Sequence, residues 1–240
     1  MELYDLETDS EPWRTGIATM APVTENASPE AMAAAVEEAA ASLIAAGKTV
    51  VGLGGEHSVS IGLIRAHAAR HPGLTVLQLD AHADTRQEYE GSRCNHACVM
   101  ARAREVAEVF AVGIRSLDAS ERAGLDHRRT IFAHEFEVES AVHDILEQVR
   151  GPVYLTIDLD VLDPAEMPST GTPEPGGLRY RQLVDLLRPI CRRREVVGFD
   201  VVELMPRPEN RAPDFLAARL IYQLMAFLTT GTRRNRHEQG

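Results

Sequence analysis

Acids and histidines that could hold a cation or move a proton fall just after apolar runs in this chain. "DAHAD" places Asp80, His82 and Asp84 at alternate positions directly after "LTVLQL". In the same way "VVGLGG" runs into Glu56 and His57, "VYLTI" into Asp158 and Asp160, and "VVGFDVV" into Glu203. Side chains alternate along an extended strand, so Asp158 and Asp160 are expected to point the same way, as are Asp80, His82 and Asp84. A helical turn would still keep Asp80 and Asp84 on one face. Four aspartates and a glutamate in one crevice suppress each other's ionisation unless positive charge lies among them. One or two divalent cations supply it. With four aspartates and two histidines available, two ions sharing bridging carboxylates is the economical arrangement. Oxygen donors with some imidazole suit Mn²⁺, and all-oxygen sites suit Mg²⁺ or Ca²⁺. Zn²⁺ would call for cysteine, and none stands at a strand end.

Such residues converge only if the runs before them are strands of one sheet. "SPEAMAAAVEEAAASLIAAG" reads as a helix with Ser28 as N-cap, Pro29 in the first turn and Gly47 as the stop; Met32, Val36, Ala40 and Leu43 share a face. "TVVGLGG" is a β-branched run, "SVSIGLIRAHAARH" a helix and "LTVLQLD" a strand. "VFAVGI", "TIFA", "VYLTIDLD" and "EVVGFDVVE" continue as strands, with helices around 139–149 and 179–193. "APDFLAARLIYQLMAFL" is apolar over much of its circumference and reads as a buried helix. Strands apolar on both faces and separated by helices predict an α/β fold: three α-β-α layers around a mostly parallel sheet. In such a sheet ligands bind outside the carboxyl ends of the strands, where these acids stand. The Pro- and Gly-rich segment 163–177 lies between a strand and a helix and reads as an ordered loop.

The 240 residues, 44% hydrophobic, fit one domain over 1–240, ending in a flexible basic tail at 229–240 that carries Arg233, Arg234 and Arg236. A net charge of -11 gives no footprint for nucleic acid. The acidic start is no signal peptide, and no stretch reaches the ~20 apolar residues of a membrane span. Three cysteines, an odd count without framework spacing, fit a reducing compartment, so a cytoplasmic location is expected. Cys94 and Cys98 read as buried small residues rather than a soft-metal or redox site.

Taken singly, the motifs are weak. A lone D-x-D is often a solvated strand end. The loop after Asp158 is no EF-hand, because Leu162 and Asp163 stand where an acid and a glycine are needed. "GLGGEH" has His57 where a dinucleotide fingerprint needs its third glycine. His67 and His71 are spaced i, i+4 without an intervening acid and are expected on a partly exposed helix face. His134, His143 and Asp144 read as surface residues, and no serine elbow is present.

In conjunction, "GGEH", "DAHAD", "DLDVLDP", "TGTPEPGGL" and "GFDVVE" closely resemble the ureohydrolase family of arginases and agmatinases, from about Val50 to Glu203. "SRCNHACVM" followed by "VFAVGIRSLDASE" looks most like the agmatinase branch. The resemblance implies an arginase-like fold and two Mn²⁺ per chain. One ion would be held by His57, Asp80, Asp84 and Asp158, the other by His82, Asp80, Asp158 and Asp160, with Asp80 and Asp158 bridging. It further implies that water activated between the ions attacks a guanidinium carbon, that Glu203 grips the guanidinium, and that His96 carries a proton to the leaving amine. Asp84 counts as catalytic as well as a ligand.

Two departures from the family pattern stand out. No strand is evident in "MELYDLETDSEPWRTGIATM", so the chain is expected to be shortened at its N-terminus and to lack one strand, leaving an exposed sheet edge. Arg93, Cys94 and Asn95 do not reproduce the small polar residues with which arginases hold the amino-acid head group, so agmatine is the better expectation than arginine. Guanidinobutyrate or another guanidino acid is the alternative, with Arg93 as the cation for its tail. A noncatalytic metal-binding relative would be expected to have lost one of these residues, and a dinuclear phosphoester hydrolase would need phosphate-binding groups not evident here. The partners expected are a small guanidino substrate and further copies of the chain, as trimers or hexamers.

Overall fold

The structure, a computed structural model, describes residues 1–237, with side chains described through 230. Six strands form one parallel sheet: β1 (Val50–Leu53), β2 (Thr75–Leu79), β3 (Glu108–Ile114), β4 (Thr130–Phe132), β5 (Val153–Asp158) and β6 (Val196–Val202), in the order β1-β6-β5-β2-β3-β4. The strands of β2 and β5 are buried at every position, as the apolar runs require for a sheet covered on both faces.

Helices α1 (Pro29–Ala45), α2 (Val59–Arg70) and α3 (Val99–Ala103) cover one face; α4 (Val138–Gln148), α5 (Tyr180–Arg193) and α6 (Ala212–His237) cover the other. The three-layer α/β architecture is the one expected from the alternation. The four strands whose ends carry acids or histidines, β1, β6, β5 and β2, are neighbours in the sheet. Because all are parallel, their carboxyl ends share one edge. No strand precedes Val50 among the described residues, and β1 is an edge strand.

The helix starting at Ser28 forms as its cap predicts: Ser28 Oγ accepts from the amide of Ala31 at 3.0 Å, and the turn after it closes at Gly47 in a left-handed conformation. Its buried stripe runs through Ala33 and Ala40 rather than Met32, with Val36 and Leu43 packed beside them. The reason is close approach to α2, where a Cβ on Gly62 would lie 2.4 Å from the Ala33 carbonyl oxygen. Gly62→Ala is therefore expected to cost about 1–3 kcal/mol, read as a melting temperature lowered by roughly 2–4 °C per kcal/mol.

Two expectations need correction or restriction. His67 is not on an exposed face: it is fully buried, its Nδ1 lies 2.7 Å from the Leu63 carbonyl, and Gly198 on β6 leaves room for its ring, while His71 caps the helix half-exposed. A helical i, i+4 spacing does not say which face meets the sheet. Of the basic tail expected over 229–240, the backbone continues α6 as far as His237, while residues 238–240 and the side chains beyond Thr230 lie outside the described residues. Up to Thr230, α6 is a core helix, burying Ala217, Leu220, Leu224 and Phe227. No helix among the described residues is long and apolar enough to cross a membrane.

Candidate functional site

Each strand end delivers its group by a turn rather than by extended alternation. β5 breaks at Asp158 into a single 3-10 turn, Leu159–Val161, in which Asp158 Oδ1 accepts from the Asp160 amide at 2.9 Å. That hydrogen bond, not strand pleating, puts the two carboxylates side by side. After β2, Asp80 Oδ1 accepts from the His82 amide at 2.6 Å, and the chain then turns at Asp84. Asp84 and Glu203 are both left-handed, at φ 53° and 64°. Neither is glycine, so each stores backbone strain that the surrounding hydrogen bonds must hold. The Asp84 carbonyl accepts from the Met100 and Ala101 amides, and the Glu203 amide donates to the Gly55 carbonyl.

The side chains meet as the strand order allows. His57 Nδ1 lies 3.0 Å from Asp84, 3.3 Å from Asp80 and 3.4 Å from Asp158. His82 Nδ1 lies 2.9 Å from Asp160 and 3.7 Å from Asp80. Two groups of donor atoms, His57/Asp80/Asp158 and Asp80/His82/Asp160, each fall within 4.8 Å, and Asp80 belongs to both. Asp158, expected as the second bridge, falls in the first group only. Its neighbour Asp160 also accepts from the Ala81 amide at 3.1 Å, which ties the turn after β5 to that after β2.

The electrostatics are set by burial and by carboxylates facing one another. Burial, then the charges of Asp84 and Asp160, push the Asp80 carboxyl up to about 7. Burial, with Asp160 and Asp80, pushes Asp158 well up also. Burial alone would lower His57 and His82, but facing carboxylates outweigh it: Asp80 and Asp84 hold His57 well above the usual range, and Asp160 brings His82 to about 9. His57 Nδ1 is buried and makes no aligned hydrogen bond although three carboxylates face it. An imidazole nitrogen and several carboxylate oxygens converging on common points fit a pair of divalent cations, and the mix of oxygen with imidazole suits Mn²⁺.

These shifts set a direction for stability in the metal-free protein. Folded Asp80 holds a proton that the unfolded chain has lost above about pH 4, so its contribution falls as pH rises toward 7. The raised histidines add stability below about 6.5 that is lost as pH climbs through their higher folded values. Ligands must be deprotonated to bind metal, so Mn²⁺ acts in the opposite sense. In the presence of chelator the protein is expected to melt lower at pH 8 than at pH 6. Mn²⁺ at about 100 times its Kd adds about 2.7 kcal/mol, or roughly 5–10 °C, at pH 8 and less at pH 6. Equal melting temperatures with and without Mn²⁺ would contradict this.

At the crevice mouth His96 and Glu203 flank the cluster. Glu203 Oε1 accepts from the His57 amide at 2.6 Å, and burial raises its carboxyl. His96 is exposed, with Nδ1 2.7 Å from Glu56 Oε1, and that bond raises its pKa. Cys94 and Cys98 are buried and free. His134, His143 and Asp144 lie on the surface.

Sequence reasoning placed Glu56 at the site without seeing that it holds His96. It also missed Gln78, whose amide donates to Asp80 at 3.0 Å, and Arg115. The Arg115 guanidinium donates to the carbonyls of Asp160 (2.7 Å), Glu174 (2.8 Å), Pro175 (3.1 Å) and Gly113 (3.1 Å), bolting the Pro-rich loop to the turn that bears Asp160. An arginine just beyond an apolar strand, in "VGIRS", is the available signal.

Comparison with known proteins supplies the wider frame. The arginase family profile matches residues 2–227. An N(1)-aminopropylagmatine ureohydrolase of Thermus thermophilus is 40% identical, over 92% of this chain and 77% of that protein. An agmatinase of Bacillus subtilis is 37% identical, over 71% of this chain and 60% of that protein. The solved agmatine ureohydrolase of Thermoplasma volcanium superposes with a TM-score of 0.88 at 30% identity, covering 98% of this chain and 80% of that one. The strands and turns that gather the two donor groups all lie inside the matched region, and the chain belongs to the arginase family of ureohydrolases.

Proposed function

We propose that this enzyme hydrolyses the guanidinium group of agmatine, releasing urea and putrescine, with two Mn²⁺ per chain. The observation that carries the reading is the buried His57 Nδ1 facing three carboxylates without an aligned hydrogen bond. One ion would rest on His57, Asp80, Asp84 and Asp158, the other on His82, Asp80, Asp158 and Asp160. When bound, such a pair brings the pKa of a shared water toward neutrality and stabilises negative charge developing on the substrate.

The remaining work falls to side chains. Glu203 has Oε1 engaged by the His57 amide, which leaves its other oxygen for a planar, forked cation. Asp84 serves as ligand and as proton acceptor. His96 is held at Nδ1 by Glu56, so Nε2 is the atom free to reach the reacting nitrogen. The bond to Glu56 raises its pKa, which favours the protonated ring that can supply the amine departing as the C–N bond breaks.

The surroundings favour a cationic tail. A groove of about 390 Å³ beside the crevice is lined by Glu25, Asn26, Met32, Glu56 and Asn95. Arg93, the residue a guanidino acid would need, is instead paired with Glu105 at 2.9 Å on the surface. The same groove supports a second reading, N(1)-aminopropylagmatine, the substrate named for the Thermus relative, whose extra amine lengthens the cation. Assembly as a trimer or hexamer belongs to the proposal as well, supported by the exposed apolar side chains Leu6, Trp13, Ile17 and Met20 in the N-terminal segment.

The test is urea release by Mn²⁺-loaded protein from agmatine, N(1)-aminopropylagmatine, guanidinobutyrate and arginine in parallel, with Asp160→Ala as control. Urea from the first two compounds, lost in the control, is expected, and the larger kcat/KM chooses between them. No urea from any of the four, with two ions bound per chain, would refute the proposal and favour a noncatalytic relative.

A further inference from the structure

Behind His57, on the side away from the crevice, lies a polar chain that the proposed chemistry does not use. His57 Nε2 is 2.9 Å from Thr156 Oγ1 in β5, and Thr156 donates to Asp200 Oδ1 in β6 at 2.7 Å. Tyr154 donates to Asp200 Oδ2 at 2.7 Å. Thr156 and Asp200 are register partners, so the link is built across two adjacent strands. Gly52, the register partner of Asp200 on β1, leaves the room this needs: a Cβ there would lie 2.9 Å from the Asp200 Cβ.

Thr156, Tyr154 and Asp200 are all fully buried. A carboxylate within the apolar run "VVGFDVV" costs stability that an aliphatic residue would not. Its position there asks for a use.

Proton counting gives one. A carboxylate only accepts, so the single Thr156 hydroxyl proton goes to Asp200, and Tyr154 serves the other oxygen. The Thr156 oxygen can then only accept from His57, which requires the imidazole proton on Nε2. The lone pair of the neutral ring is thereby left on Nδ1, the atom facing Asp80, Asp84 and Asp158.

We propose that Asp200 and Thr156 form a positioning relay that fixes the His57 tautomer and ring orientation so that Nδ1 is presented as a metal ligand. Neither residue touches substrate or ion. The relay rests on the reading of the cluster as a metal centre, and outer partners of this kind are worth about 10–100-fold in metal affinity.

The test measures Mn²⁺ retained per chain after dialysis at micromolar Mn²⁺, with low-temperature EPR for the exchange-coupled pair, on the full-length wild type and Thr156→Val, Thr156→Ser, Asp200→Asn and His57→Asn. Circular dichroism in chelator establishes that each variant folds without metal. Expected are two ions and a coupled signal in wild type and Thr156→Ser, and one ion without that signal in Thr156→Val and His57→Asn. Asp200→Asn, which keeps its shape but weakens the acceptor, is expected to lose affinity about tenfold, and it decides the matter should Thr156→Val not fold. Two ions held by folded Thr156→Val and Asp200→Asn as tightly as by wild type, with His57→Asn losing one, overturn the relay and leave the metal centre standing. Wild type that binds no Mn²⁺ overturns both.

Discussion

Asp80→Ala is expected to reduce urea release by at least about 10³-fold, because loss of several kcal/mol of cation-derived stabilisation corresponds to that factor. Asp80 is the one residue common to both donor groups. Its removal leaves His57 and His82 each with one carboxylate fewer and strips the crevice of the carboxylate that both groups share. Metal content and rate are expected to fall together. The fold keeps its frame: Asp80 follows β2 rather than lying within it, and what its loss removes from the metal-free protein is the acceptor for the His82 amide and the Gln78 side chain. Metal-free Asp80→Ala is thus expected to fold, which circular dichroism in chelator checks. A variant that keeps two ions and full activity would refute the assignment of the centre.

The second large effect concerns His96. His96→Ala is expected to lower kcat by about 10²–10⁴-fold, the usual worth of a positioned proton donor, while the protein still binds two Mn²⁺. Two readouts separate this from damage to the fold. Imidazole added to the assay should restore part of the rate, and the descending limb of the pH profile, where the protonated ring is lost, should disappear. Glu56→Gln should shift that limb to lower pH, since the Glu56 carboxylate is what holds His96 above its ordinary value. An unchanged profile in both variants would remove His96 from the mechanism.

Much of this site is readable in the sequence because its groups follow apolar runs: "VVGLGGEH", "TVLQLDAHAD" and "VYLTIDLD" mark both strand and ligand. Parallel pairing then does the gathering, and the observed neighbours β1, β6, β5 and β2 are the four strands with such endings. Other features left no such trace. Thr156 is an ordinary strand-interior residue until the register places it opposite Asp200. Asp84 and Glu203 adopt φ values for which glycine would have been the signal. Asp158 and Asp160 come together through a turn that an extended reading does not contain. His67 shows the limit of helical periodicity, for it joins the core where Gly198 makes space on another element. Asp200 is the exception that could have been found, since an acid inside an unbroken valine-rich run has nowhere to go but the interior.

The edge position of β1 has a dynamic consequence. Every other strand of the centre is hydrogen-bonded on both sides, whereas β1 is held only by β6. Strands anchored on one side open locally at lower free energy than the interior. His57 follows β1, so fluctuations that detach this strand carry away one ligand of the cluster while Asp80, Asp158 and Asp160 stay in place. Amide hydrogen exchange in Val50–Leu53 then reports the opening of the centre: protection there should rise when Mn²⁺ is added, and the ion resting on His57 should be the one that trades with solvent first.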